Sequence, residues 1–308
     1  EILIGLVGSE MCIRDSPSTD VARYRAGDLD MTNYALPPEQ FAKLQKELPG
    51  EVFTTRTLAT YSYELNNKKA PFDNVNVRKA LNLSLDRNVI TDKVLGQGQT
   101  PTYVFTPTYI EEGHLIQQPA YSKEPMAQRN EEAIKLLEEA GYSKANPLKF
   151  TILYNTNENH KKVAIAAASM WKANTKGLID VKLENQEWKT YIDSRRAGRY
   201  DAARAGWNAD YNQATTFGNY FLSNSSNNTA KYANPEYDKA IAESYVATDA
   251  EGRAKAYAKA EEILAKDFGI VPIFNYVNPR LVKPYVKGYS GKDPQDHIYL
   301  RNLYIIKH

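Results

Sequence analysis

The chain has 308 residues, 42% of them hydrophobic, enough for one large or two ordinary domains. Its 39 Lys and Arg against 37 Asp and Glu leave a formal net charge of +2 with no basic run, which excludes the clustered cationic footprint of a nucleic-acid binder. A single cysteine, Cys12, excludes a disulfide framework and a cysteine-based metal site, and no stretch is apolar over the roughly 20 residues that a membrane helix needs.

Residues 1–16, EILIGLVGSEMCIRDS, begin with an acid, and their apolar run stops at Gly5, which is not the pattern of a secretory signal. The stretch resembles one reading frame of a transposase adapter used in sequencing libraries. It is therefore set aside as a non-native leader, and genuine sequence upstream of Pro17 is expected to be missing. From there, DVARYRAG and PPEQFAKLQKEL read as short helices, and VFTTRTLATYSYEL (52–65) as a Thr- and Tyr-rich strand crossing a boundary near Leu58. Residues 72–96 present a helical apolar face through Val77, Ala80, Leu81, Leu83, Ser84 and Leu85, ended by Gly96. A proline-rich loop runs to Pro125. A helix follows over 128–142, with Asn130 as its cap, Glu131 and Glu132 suiting the positive end of the helix dipole, and Gly141 as its stop.

Residues 148–207 carry the clearest architecture: strand LKFTILYN, helix ENHKKVAIAAASMWKANT, strand IDVKLENQ, helix EWKTYIDSRRAG and strand YDAARAGW. That β-α-β-α-β order predicts an α/β domain with a doubly wound parallel sheet. Two further helices follow at 234–247 and 249–267. A strand, IVPIFNYVN, then leads into a turn-rich tail.

Catalytic signatures are missing from the sequence. His114, His160, His297 and His308 are scattered without metal-ligand spacing. There is no GxSxG elbow, GQGQTP lacks the third glycine of a dinucleotide fingerprint, and GDLDM has two acids of a calcium loop and nothing else. No cofactor or metal is implied. The distinctive stretch is RAGWNADYN (204–212), at the carboxyl end of the last strand of the unit, where open α/β sheets bind their ligands. Arg204 offers a fork for a carboxylate, Asp210 an anion for an ammonium, and Trp207 an apolar wall, a set suited to a zwitterion. The plainer alternative is that Arg204 and Asp210 pair with each other or with surface charges and Trp207 is core.

FDNVNVRKALNLSLDRNVI, LENQEWKTYID, ARAGWNADYN, LSNSSNNTA and VPIFNYVNPRLVKPYVKGYSGKDPQD together resemble the extracytoplasmic oligopeptide-binding proteins of ABC importers, solute-binding family 5. The resemblance runs from about Pro17 to His308 and matches roughly the C-terminal three-fifths of such a protein. It implies an incomplete two-lobe, type II periplasmic-binding-protein fold: 17–58 as part of lobe I, 59–274 as the ligand-binding α/β lobe III, and 275–308 as the return into lobe I. It implies a periplasmic monomer of Gram-negative type that is not an enzyme. Such a protein encloses short peptides between its lobes and delivers them to an inner-membrane ABC permease.

By motif, Asp210 would bind the peptide's α-ammonium, and Arg204 and His160 its carboxylate. Trp188, Arg195, Trp207, Asn227, Glu64 and Tyr276 would line side-chain pockets. Ala59 and Asn208 stand where many members of the family have a cysteine pair. Leu95 replaces a lysine used near the carboxylate, which leaves a murein-tripeptide preference open as the alternative. A hydrolase is the remote alternative, with no nucleophile or metal set to support it.

Overall fold

A computed structural model describes residues 17–33 and 35–307, so the proposed leader lies outside the described residues. Helices α1 (Pro17–Ala26) and α2 (Pro38–Glu47) both open at proline, whose fixed φ suits a first helical turn. Strand β1 (Val52–Leu65) alternates exposed and buried residues as far as Thr57, then is buried on both faces to Leu65. Asn74 caps α3 (Val75–Leu83) by accepting from the Asn76 N–H.

One expectation is corrected at this point. The helix anticipated over 72–96 breaks after Leu83, where the buried Ser84 hydroxyl donates back to the Ala80 carbonyl at 2.6 Å. The Arg87 side chain, fully buried, takes up the Asn82 and Pro272 carbonyls at 3.0 and 2.7 Å. The chain resumes as a wide π-type turn over Val89–Leu95, and Gly96 at φ +63° ends it.

After the short β2 (Thr100–Pro101), α4 (Met126–Glu139) starts from Pro125 and not from Asn130. Asn130 is inside the helix, its Oδ1 buried without a partner, while Gly141 at φ +89° follows the helix end as expected. Then come β3 (Leu148–Asn155), α5 (Glu158–Asn174), β4 (Ile179–Gln186), α6 (Trp188–Arg196), β5 (Ala202–Asn208) and the single turn α7 (Thr215–Gly218). They are followed by α8 (Pro235–Val246), α9 (Ala250–Lys266), β6 (Ile270–Leu281), β7 (Val286–Lys287) and β8 (Tyr304–Ile305).

The chain divides into two compact units. Unit 1 gathers the residues up to Thr57, Leu95–Gln99 and Tyr276 onward; unit 2 gathers Leu58–Val94 and Thr100–Asn275. In unit 1 the apolar faces of α1 and α2 meet Leu36 and Leu281 in a small core of Val21, Tyr24, Phe41 and Leu44. Its β7–β8 pair needs glycine at 288, where φ is +87° and a Cβ would lie 1.9 Å from the Asn302 carbonyl oxygen.

Unit 2 is built on a six-stranded sheet ordered β2-β6-β1-β5-β3-β4, in which β1 and β6 also run on into unit 1. The parallel core is as predicted: β3 pairs with β4 from Leu148↔Ile179 to Asn155↔Gln186, and with β5 at Ile152↔Ala202. The sheet as a whole is mixed, because β1 runs antiparallel to β5 from Ala59↔Asn208 to Leu65↔Ala202. An aromatic core around Phe105, Phe217, Phe221, Tyr237, Ile241 and Tyr257 backs one end of unit 2, and a smaller one of Leu153, Tyr191, Tyr200 and Ala203 lies under α6.

Candidate ligand-binding site

The carboxyl end of β5 places Arg204, Trp207 and, just beyond it, Asp210 in one short run. Three neighbourhoods form around them. In the first, the Tyr61 ring lies 5.1 Å from the Arg204 guanidinium and 5.5 Å from the His160 ring. The site residue Arg204 also donates to Asn155 Oδ1 at 3.5 Å, and its carbonyl accepts the Tyr191 hydroxyl.

His160 is brought there by helix capping: Asn157 accepts from the Asn159 and His160 N–H groups at 2.9 and 3.1 Å, a cap worth about 1 kcal/mol. The His160 Nδ1 is buried and has no hydrogen-bond partner among the described residues. Burial, followed by the positive charge of Arg204, pushes its pKa well below the usual histidine range, so the ring is neutral.

In the second neighbourhood, the buried Thr216 hydroxyl at the start of α7 gathers three groups. It donates to Asp210 Oδ2 at 3.2 Å and accepts from Trp207 Nε1 at 3.2 Å and from the Asp210 N–H at 3.3 Å. The Asp210 residue is exposed, whereas the Trp207 ring is half-buried against Tyr220, centroids 4.9 Å apart.

The third neighbourhood is internal. Glu64 is 0% exposed and accepts from Arg195 Nη2 at 2.9 Å, from the Tyr220 hydroxyl at 2.6 Å and from the Thr229 hydroxyl. Arg195, 8% exposed, also reaches the Tyr220 and Thr229 oxygens at 3.1 and 3.0 Å. Burial alone would lower the Arg195 pKa, yet the Glu64 carboxylate holds it well above the usual arginine range; burial and the same carboxylate push the Tyr220 phenol up. The two charges are buried together, so each offsets part of the cost of burying the other, while Arg195 Nε has no hydrogen-bond partner among the described residues. Glu64 and Arg195, which the family resemblance assigns to side-chain pockets, are both buried here and bonded to one another and to Tyr220, which packs on Trp207.

Tyr191, which the sequence reading missed, joins these neighbourhoods. It bonds the Arg204 carbonyl, lies 5.6 Å from the Arg195 guanidinium, and packs on Trp188 at 5.9 Å, whose ring is 58% exposed. Trp188, Tyr191 and Arg195 are spaced i, i+3, i+7 on one face of α6, and that spacing was the available signal. Asn227 is exposed, with its carbonyl accepting the Thr229 N–H at 2.7 Å. Tyr276 belongs to unit 1, half-buried on β6, where its carbonyl accepts the Thr57 hydroxyl at 3.1 Å.

Among the described residues there is no cluster of His, Cys, Asp and Glu able to hold a metal ion, and no helix is long and apolar enough to cross a membrane. What the β5 end presents is an exposed, hydroxyl-anchored carboxylate beside an indole, just beyond the strand, and a guanidinium beside a neutral imidazole: charges of both signs within one short run of chain.

A family profile described as bacterial extracellular solute-binding proteins, family 5 Middle, matches residues 11–229. The chain is 95% identical over 294 residues to the periplasmic oligopeptide-binding protein OppA of Haemophilus influenzae, covering 96% of this chain and 54% of that one. It is 44% identical to the periplasmic murein peptide-binding protein MppA of Escherichia coli, covering 94% of this chain and 53% of that one. Among solved structures, Haemophilus influenzae OppA in complex with RPPGFSPFR superposes with a TM-score of 0.89 at 95% identity, over 94% of this chain and 57% of that one. Escherichia coli MppA superposes with a TM-score of 0.88 at 43% identity, over 96% and 57%. The chain thus spans about half the length of the curated relatives it matches.

Proposed function

Because the chain belongs to family 5 of the bacterial extracellular solute-binding proteins, we propose that it is the ligand-binding portion of a periplasmic protein that captures short peptides and delivers them to an ABC permease. The observation that carries this reading is the exposed Asp210 carboxylate, tied to Thr216 at the end of β5 in the same unit as the Arg204–His160 pair. Asp210 receives the peptide's α-ammonium, and Arg204 with His160 receives its carboxylate. The half-buried Trp207 and the exposed Trp188 offer apolar walls to side chains. No covalent step is assigned to any residue. The identity of 95% to the oligopeptide-binding relative, against 44% to the murein peptide-binding one, supports an oligopeptide ligand over a murein tripeptide.

The test is calorimetry on a full-length protein in which this chain replaces the matching portion of its 95% identical relative. Acetylating the N-terminus of a tripeptide removes the ammonium that pairs with Asp210. The expected loss is about 2–5 kcal/mol of binding, as for one partner of a desolvated charge pair. Equal affinity for free and acetylated peptides would show that Asp210 does not have this role.

A further inference from the structure

We propose that Thr216 is the positioning residue of the ammonium site: its hydroxyl, together with a clip formed by Glu111, Glu112 and Arg253, holds the Asp210 carboxylate in the orientation that selects a free amino terminus. The inference rests on the reading of Asp210 as the ammonium partner.

Asp210 lies beyond the end of β5, on a loop that the sheet's own ladder no longer fixes. An exposed carboxylate on such a loop is free to turn among rotamers, and every turn away from the ligand reduces affinity by the fraction of time it spends there. The structure removes that freedom with one atom. A threonine hydroxyl has one proton to give and two lone pairs to fill. The Thr216 hydroxyl uses all of them: the proton on Asp210 Oδ2, the lone pairs on Trp207 Nε1 and the Asp210 N–H. The same atom therefore sets the carboxylate, the backbone that carries it and the indole beside it. Thr216 is itself 3% exposed, too buried to touch a ligand from solvent, so its action passes through Asp210.

The clip explains why Thr216 stays in place. The segment leading into α7 is fastened to the turn at residues 111–112 by three bonds: Ala214 N–H to the Glu111 carbonyl at 3.1 Å, Glu111 N–H to Asn212 Oδ1 at 3.2 Å, and Gln213 Nε2 to Glu112 Oε2 at 3.0 Å. Glu112 is 6% exposed, adopts φ +64°, which a glutamate rarely does, and its second oxygen accepts from Arg253 Nε of α9 at 2.7 Å. A buried glutamate at positive φ, held by Gln213 on one side and Arg253 on the other, ties the loop to α9.

The experiment uses the same full-length protein and two probes, trialanine and N-acetyl-trialanine, and reads the ratio of their dissociation constants. Thr216→Val keeps the side-chain shape and removes the hydroxyl. It is expected to reduce the preference for the free peptide by about tenfold, the scale of one hydrogen bond to a charged group, while affinity for the acetylated peptide stays unchanged. Thr216→Ser, which returns the hydroxyl, is expected to restore the ratio. Thr216→Ala serves the same comparison where the valine variant does not give a folded protein by circular dichroism. An unchanged ratio in the hydroxyl-less variant overturns the proposal, and so does an equal weakening of both peptides, which is what a purely structural role would produce. An unsubstituted protein with no preference between the two probes overturns the ammonium reading itself, an outcome visible before any substitution is made.

Discussion

His160 stands where burial and the neighbouring Arg204 guanidinium both disfavour a positive ring, so in the native state it gives up its proton well below the usual histidine range. In the unfolded chain the same ring titrates near ~6.5. As pH falls through that value the unfolded state takes up a proton that the native state refuses, so stability is present above it and is lost below it, by up to about 1.4 kcal/mol per pH unit. Urea unfolding midpoints are therefore expected to drop between about pH 7.5 and about pH 5.5, and His160→Gln is expected to flatten that slope. A slope unchanged by the substitution would mean that other groups produce it. Residue identity and strand position alone pointed to Asp210, Arg204 and Trp207, because a carboxylate, a guanidinium and an indole at a strand's carboxyl end advertise their chemistry, whereas His160, one of four scattered histidines, was named only by its motif. Glu64 and Arg195 too were named by motif, and their pairing across 131 positions is a fact of folding that no local window contains. Thr216 was invisible for the opposite reason, since a threonine in a single helical turn carries no pattern.

At the scale of elements, periodicity was a sound guide wherever the element met a single environment. The strand over 52–65, the parallel β3–β4–β5 core and the helices α5, α8 and α9 all stand within a few residues of their predicted spans. It failed at residues 84–87, where a buried arginine claims backbone carbonyls that a continuous helix would need, and at Asn130, where Pro125 had already set the helix start. The β1–β5 register also makes the missing cysteine pair concrete. Ala59 and Asn208 are directly opposed, and opposed residues on antiparallel strands lie about 4.5–5.5 Å apart at Cα, within the span of a disulfide. The double variant Ala59→Cys, Asn208→Cys is expected to oxidise to a bridge worth about 2–4 kcal/mol, seen as a shift of the urea midpoint that a reductant reverses. Free thiols persisting after mild oxidation would contradict the register.

For the whole molecule, the relevant fact is length: the chain spans about half of its curated relatives. A peptide captured by one face alone keeps much of its backbone in water, and its binding lacks every hydrogen bond that the remaining half would supply. This chain by itself is expected to bind trialanine at least about a hundredfold more weakly than the full-length protein in calorimetry, and comparable affinities would place the whole recognition surface within these residues. Fold and family were legible at this scale because several long motifs agree. The units divide at Thr57 and Asn275, each inside an unbroken strand, and Leu95–Gln99 joins unit 1, a grouping that the expected spans 17–58, 59–274 and 275–308 do not contain.

The clip on the Asp210 loop has a temporal meaning as well. It joins Glu112 to Gln213 and Arg253, partners 101 and 141 positions further along the chain, and contacts of such separation form late because the intervening chain must be ordered first. In the order of synthesis, the hold that Glu112 has on this loop is complete only once α9, which carries Arg253, has been made and docked. Until then the Asp210 loop has its strand neighbours and Thr216 but not the far side of its grip.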